Sequence, residues 1–210
     1  MTSLARTERD ALCDLALQLG ADHPTLSGDW TIKDLVVHLL VREGSPAAVG
    51  IKVPLLAKLT DAASHRLRRR DFQVLVERLR SGPPFYSPFR IPKADALLNT
   101  LEFFVHHEDV RRAQPTWLPR TLARRQEDLL CRQVSVAGKR LVRDAEVGVS
   151  IERSDTGKQT ALRSRDRTVV VRGLPSEVTL YVYGRKEQAR VDLDGAEADV
   201  TALHGTGLRI

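Results

Sequence analysis

The chain has 210 residues, of which 42% are hydrophobic and 29% charged, a balance typical of a globular protein with a sizeable core. No apolar run approaches the roughly 20 residues of a membrane span, and the N-terminus lacks the apolar centre of a signal peptide. These features predict a cytoplasmic protein without a membrane partner. The net charge is +6, but the arginines alternate with acids along predicted helices, so we expect solvated helix faces and no nucleic-acid partner.

The two cysteines, Cys13 and Cys131, fit no zinc-binding or CxxC spacing, and each lies in a predicted helix. We therefore expect reduced structural thiols.

Apolar residues at three- and four-residue steps predict a first helix from Leu4 to Leu19, which Gly20 ends. A second helix begins near Ile32, because Thr31 and Asp34 have the spacing of a capping box. It runs to about Glu43.

Trp30 and Leu35 flank the start of this second helix at the spacing of a hydrophobic staple. Pro46 marks the loop that follows the helix.

A third helical region extends from Ile51 to Arg70, and helical periodicity continues from Asp71 to Arg80. Four prolines and a glycine interrupt regular structure between Ser81 and Pro92. The same segment contains three aromatic residues. It either walls one side of a pocket or covers apolar surface of the helices, and the sequence leaves both alternatives open.

Two further helices are predicted, from Ala94 to Ala113 and from Thr121 to Arg140. Together the helical segments predict a four-helix bundle, in which residues 51–80 are either an insert or one of the four helices.

The pattern changes after Arg143, where three short β-branched segments predict strands. Pro175–Arg185 is ambiguous, although Ser176 is placed to cap a helix there. A strand from Ala189 to Leu193 and a short helix from Ala196 to His204 follow. The predicted fold class is therefore α+β with two domains, a helical bundle over residues 1–143 and a small α+β domain over residues 144–210.

Glu102 and His106 lie four residues apart on the helix that follows the proline-rich segment, so their side chains share one face. A carboxylate and an imidazole at that spacing can bind one divalent cation. His38, a polar residue in the apolar run of the second helix, is the candidate third ligand. Asp109 is placed one turn beyond His106 to hold its second nitrogen or to form a network with Arg112.

These motifs, W-T-x-x-D-L-x-x-H-L at Trp30–Leu39 and E-x-x-V-H-x-x-D at Glu102–Asp109, resemble those of the DinB-like and mycothiol-dependent maleylpyruvate isomerase superfamily. The H-E-D-V-R-R run after His106 is more similar to an actinobacterial metal-binding subgroup. The pattern G-x-x-S-E-V…Y-G-R…V-x-L-D-G resembles the C-terminal domain of the isomerase family.

The resemblance implies that His38, Glu102 and His106 hold a divalent metal, usually zinc, and that the partners are a small-molecule thiol, mycothiol, and an electrophilic substrate. The expected activity is that of a thiol transferase or isomerase, with Arg185 as a candidate catalytic residue for a substrate carboxylate. A non-catalytic metal sensor of the same fold and a metal-dependent hydrolase remain alternatives. Monomer and homodimer both stay open.

Overall fold

The computed structural model describes residues 2–44, 54–91 and 99–207. Over these residues the chain contains eight α-helices, one short 3-10 helix and a four-stranded sheet, so it belongs to the α+β class. It divides into two compact units, Met1–Trp117 and Leu118–Ile210. Within the described ranges no helix combines the length and the hydropathy that crossing a membrane requires.

The first unit is helical. Its elements are α1 (Leu4–Leu19), α2 (Ile32–Gly44), α3 (Pro54–Arg68), α4 (Phe72–Arg80), a 3-10 turn (Pro88–Arg90) and α5 (Thr100–Arg112). The predicted helix starts at Ile51 and Ala94, and the predicted loop around Pro46, lie outside the described residues.

The predicted ends of the first two helices are confirmed by their hydrogen bonds. Ser3 caps α1 by accepting from the amide of Arg6, and Gly20 ends the helix with a φ of 100° that favours glycine. At the start of α2 the amide of Asp34 donates to Thr31 Oγ1 and the amide of Thr31 donates to Asp34 Oδ2, both at 3.2 Å. This reciprocal pair is the predicted capping box.

Four helices of the first unit, α1, α2, α4 and α5, contribute to one apolar core. In it α1 packs against α4 and α5, and α2 packs against α3 and α4. The buried core residues are Leu12, Cys13, Ala16, Ile32, Leu35, Val36, Val37, Leu39, Leu40, Leu75, Val76, Leu79, Phe103 and Val110.

A buried ion pair joins two helices inside this apolar core. Arg9 on α1 is only 2% exposed, and its two terminal nitrogens donate to the carboxylate of Glu43 on α2 at 2.6 and 2.5 Å. The guanidinium also lies over the Phe103 ring at 4.2 Å and donates to the carbonyl of Leu79. A buried charge needs this degree of compensation.

The second unit combines a sheet with three helices. Its elements are α6 (Arg124–Leu141), β1 (Gly148–Arg153), β2 (Gln159–Arg163), β3 (Thr168–Gly173), α7 (Pro175–Val182), β4 (Asp192–Asp194) and α8 (Glu197–Gly205). The strand order is β2-β1-β3-β4, in which β1 and β3 are parallel and the two outer pairs antiparallel. Inward-facing side chains of β1 and β3, such as Ile151 and Val171, stand directly opposite each other in the buried core.

Helix α6 packs against β2 and α7, so it belongs to the second unit, and the chain divides before this helix instead of after Arg143. Gly138 permits this packing, because a Cβ atom there would lie only 2.8 Å from Leu162 Cδ1. The expected grouping of this helix with the bundle fails for a physical reason. Its apolar positions suit a sheet as well as another helix, and only the tertiary partner decides between them.

The ambiguous segment Pro175–Arg185 is a helix over Pro175–Val182, but Ser176 is not its cap. Leu174 holds the N-cap position, and Ser176 lies inside the first turn. There its amide and hydroxyl both donate to the carboxylate of Glu127 on α6, at 2.8 and 2.9 Å. An acid distant in sequence therefore performs the capping role. The last strand, Asp192–Asp194, also begins later than predicted.

Candidate metal centre

The three predicted ligands come together in the first unit. Glu102 and His106 lie on successive turns of α5, and His38 projects from α2. Ligand atoms of the three side chains all lie within 4.8 Å of one another, and the rings of His38 and His106 have centroids 5.6 Å apart. The i, i+4 spacing of the α5 pair is confirmed as a shared helix face.

Two of the distances within this cluster are close to those between ligands of one metal ion. Glu102 Oε1 lies 3.5 Å from His38 Nε2 and 3.4 Å from His106 Nε2. Good N–H···O bonds are shorter, about 2.7 to 3.2 Å. Two ligands of a tetrahedral zinc ion, each about 2.1 Å from the metal, are separated by roughly 3.4 Å. The donor set and its spacing therefore fit a divalent cation.

The orientation of the His106 ring is set by a carboxylate on its far side. His106 Nδ1 lies 2.9 Å from Asp109 Oδ2, and the same oxygen accepts from the hydroxyl of Ser27 at 2.9 Å. In the neutral ring, a proton on Nδ1 leaves the lone pair on Nε2, which faces Glu102. This is the carboxylate–histidine arrangement common behind metal-binding imidazoles, and it places Asp109 where the sequence predicted.

The electrostatics of the cluster follow from its burial and its close contacts. Burial alone raises the pKa of a carboxyl group, but the imidazoles of His106 and His38 and the charge of Arg42 hold the pKa of Glu102 well below its usual range. Burial lowers the pKa of an imidazole, yet the contacts with Asp109 and Glu102 raise the pKa of His106 to about 9. The two shifts show that Glu102 and His106 stabilise each other's charged forms, so a cation bound by both side chains would have to displace the proton from His106 Nε2.

Arg42 is a residue of this site that the sequence analysis missed. Its Nε lies 3.3 Å from Glu102 Oε1, and its Nη1 donates to Asn99 Oδ1 at 2.5 Å. Asn99 in turn donates to Glu43, the partner of Arg9. A chain of polar contacts therefore connects the buried ion pair of the core with the metal-ligand candidates. The arginine stands four residues after His38, so the helical spacing was the available signal.

The aromatic segment before α5 contacts this arginine. Phe89 is buried, and the guanidinium of Arg42 lies 4.9 Å from the centre of its ring. Phe85 and Tyr86 are exposed and pack edge to face with each other. One end of the segment is therefore anchored beside the cluster, while two of its three aromatic rings project outward.

Arg112 and Arg185, the two arginines of the predicted site, contact groups outside the ligand cluster. Arg112 donates from Nε to Glu108 at 2.5 Å and lies over the Trp117 ring at 4.7 Å. Arg185 belongs to the second unit, where its Nη1 donates to the carbonyl of Tyr183. The proposed role of Arg185 in binding a carboxylate stays a prediction.

No family model, curated protein or solved structure was found to match the chain. A functional conclusion therefore rests on the geometry of the site. The fold and the site define an α+β protein with a His-Glu-His cluster able to hold a metal ion.

Proposed function

We propose that this chain binds a divalent cation, zinc, through His38, Glu102 and His106, and that it uses the ion as a thiol transferase or isomerase. The observation that carries the proposal is the placement of Glu102 Oε1 at 3.4 and 3.5 Å from two imidazole nitrogens. A second carboxylate, Asp109, already orients one of those imidazoles.

A site with three protein ligands keeps a position for a further molecule, and this is the feature that distinguishes catalytic from structural zinc sites. The exposure of the three side chains shows where that molecule would enter. The side chain of His38 is 38% exposed, against 10% for Glu102 and 6% for His106. The cluster therefore opens on the side of His38.

The bound ion would supply one piece of chemistry, which is to lower the pKa of a thiol so that it is present as the thiolate near neutral pH. The chain's own residues would hold the reacting groups in place. Asp109 fixes the ring of His106, and Arg42 balances the charge of Glu102. The thiolate would then attack an electrophilic carbon of a small substrate, and it would either displace a leaving group from that carbon or, after isomerisation of the adduct, be eliminated again as the thiol.

The finer assignments of fold, cofactor and substrate-binding residue belong to the same proposal. The shared core of α1, α2, α4 and α5 supports a four-helix bundle of the DinB-like type. Mycothiol is the thiol that the motif resemblance implies. Arg185 is proposed to bind a substrate carboxylate through its planar, two-donor guanidinium.

Metal stoichiometry on the purified protein tests the first part of this proposal. We expect about one zinc per chain, and His38→Ala and Glu102→Ala should each lose most of it, because two remaining ligands do not hold zinc firmly. His23→Ala removes an exposed imidazole outside the cluster and is the matched control. Retention of zinc by both cluster variants would overturn the assignment.

Turnover tests the second part. The zinc-loaded protein should conjugate a small thiol to 1-chloro-2,4-dinitrobenzene faster than the His38→Ala variant does. Ester hydrolysis without a thiol requirement would identify a hydrolase. Zinc binding with neither activity would favour the non-catalytic metal-binding alternative over the transferase.

A further inference from the structure

A groove between α2 and α3 is lined in part by His38, the most exposed of the three candidate ligands. Its volume is about 470 Å³, which is within the range of small-molecule sites. His38 belongs to both the groove and the cluster. A molecule that reaches the cluster from this side therefore has the groove available for its remaining atoms.

The α2 wall of the groove carries both polar and apolar side chains. It consists of Asp34, Val37, His38 and Val41, which follow the i, i+3, i+4, i+7 spacing of one helix face. The Trp30 ring extends this wall and lies against the His38 ring, with centroids 4.9 Å apart and the two ring planes tilted by 47°. This wall can cover the carbon stem of a ligand that ends at His38.

The α3 wall is polar, although it repeats the same spacing. It consists of Asp61, Ser64, His65 and Arg68. The helix is anchored elsewhere, because Leu67 packs against the apolar core of the unit. Two packed helices normally face each other with apolar stripes, so a polar stripe that faces an open groove indicates contact with water or with a polar ligand.

The charges at the two ends of the groove indicate the chemistry of that ligand. At one end Arg68 Nε lies 3.0 Å from Asp34 Oδ1, so the arginine is already engaged with an acid. Asp61 is exposed near the other end. A carboxylate there favours an amine or hydroxyl donor over another carboxylate.

We propose that this groove binds the non-reacting part of the thiol, and that it selects a thiol whose body carries amine or hydroxyl groups over one that carries a carboxylate. The inference rests on the proposed function, since it takes the thiolate to lie at the ion held by His38, Glu102 and His106.

Three thiols with one six-carbon stem and different end groups test this selection, namely 6-aminohexanethiol, 6-mercaptohexanol and 6-mercaptohexanoic acid. Their dissociation constants are measured on cobalt-substituted protein from the thiolate-to-cobalt absorption band. Asp61→Asn should weaken binding of the amine about two- to five-fold, as expected for one partly exposed ion pair. It should leave the alcohol unchanged and tighten binding of the acid.

A groove-filling variant gives a second readout. Ser64→Phe should weaken all three thiols at least about ten-fold, because the added ring occupies the groove. Arg66→Phe adds the same ring at an exposed position outside it and is the matched control. Both variants should bind cobalt with the stoichiometry of the parent.

The possible failures are distinguishable. Absence of a metal site, or of any thiolate band in the cobalt protein, would defeat the proposed function and the inference together. Equal dissociation constants for each thiol in the parent, Asp61→Asn and Ser64→Phe proteins would overturn only the groove and leave the metal-dependent function standing.

Discussion

Two adjacent histidines of α5 have the same kind of partner and, on our proposal, different roles. His106 Nδ1 lies 2.9 Å from Asp109, and His107 Nδ1 lies 2.7 Å from Glu8 on α1; all four side chains are buried. The difference is on the far side of each ring. His106 meets a second carboxylate and the half-exposed His38, whereas His107 stands about 100° around the helix and takes no part in the ligand cluster.

The comparison shows what separates a candidate site from a structural contact. A buried imidazole paired with a carboxylate is a sound way to join two helices, and α1 and α5 are joined in this manner by Glu8 and His107. A candidate metal site needs three further features: a second ligand next to the imidazole, a third ligand with access to solvent, and a groove beside that third ligand. Only the His106 side offers these features among the described residues.

Among the variants that test this comparison, His107→Ala should have the largest effect on the free energy of unfolding, because it removes the imidazole that joins α5 to α1. Removal of the imidazole takes a donor from Glu8, which is 1% exposed, so the free energy of unfolding should fall by about 3 to 5 kcal/mol. Urea unfolding followed by the fluorescence of Trp30 and Trp117 measures the change.

The folded fraction of the His107→Ala protein should still bind one zinc. The double variant Glu8→Gln/His107→Ala is the control, because it removes the buried carboxylate together with its donor and should recover part of the loss. If the His107→Ala protein kept its stability but lost zinc, His107 would be the metal ligand and His106 the structural residue.

Asp109→Asn tests whether the contact with the aspartate prepares His106 to bind zinc. An amide in place of the carboxylate can donate to His106 Nδ1 and so favour the wrong tautomer, and the zinc affinity should fall about 10- to 100-fold. Competition with a chromophoric chelator measures the affinity. Ser27→Ala removes a further hydrogen bond to Asp109 Oδ2 and should have a much smaller effect. Equal losses in both variants would mean that the aspartate acts through the fold and not through the imidazole.

Glu127 is a further buried acid, and its partners are the hydroxyl and the amide of Ser176 instead of an imidazole. Burial raises the pKa of Glu127, and the two hydrogen bonds from Ser176 only partly offset the increase. A raised pKa in the folded state means that this carboxyl contributes stability that is present below its unfolded value near 4.5. That contribution is lost as the pH rises through the folded value.

Glu127→Gln keeps an acceptor for the Ser176 amide and cannot ionise. The free energy of unfolding of this variant relative to the parent should therefore increase as the pH is raised from 4.5 to 8. Urea unfolding followed by far-ultraviolet circular dichroism measures this difference. Glu146→Gln, the same change at an exposed position of the second unit, is the matched control. A difference that falls with pH would show that the carboxylate form is the one that the fold stabilises.

Residues close together in the chain made two of the three candidate ligands predictable as a pair, together with the helix that carries the third. Glu102 and His106 share a helix face by spacing alone, and the capping box at Thr31 and Asp34 set the start of the helix that carries His38. The proximity of His38 to the pair came from the motif resemblance and is confirmed by the structure.

Contacts between residues far apart in sequence could not be predicted from local patterns. The path from Arg9 through Glu43 and Asn99 to Arg42 depends on the way three helices pack, and no local pattern encodes it. The same holds for Glu127, which caps α7 from another helix.

The sequence by itself determined most of the elements that the structure describes, because helix periodicity, caps and β-branched runs act over a few residues. It also determined which face of α5 carries the pair Glu102 and His106. Only the tertiary structure decided that α6 packs on the sheet, that Arg42 contacts Glu102, and that a groove lies beside His38. The physical reason is that burial and charge compensation depend on the neighbours that the folded chain brings together.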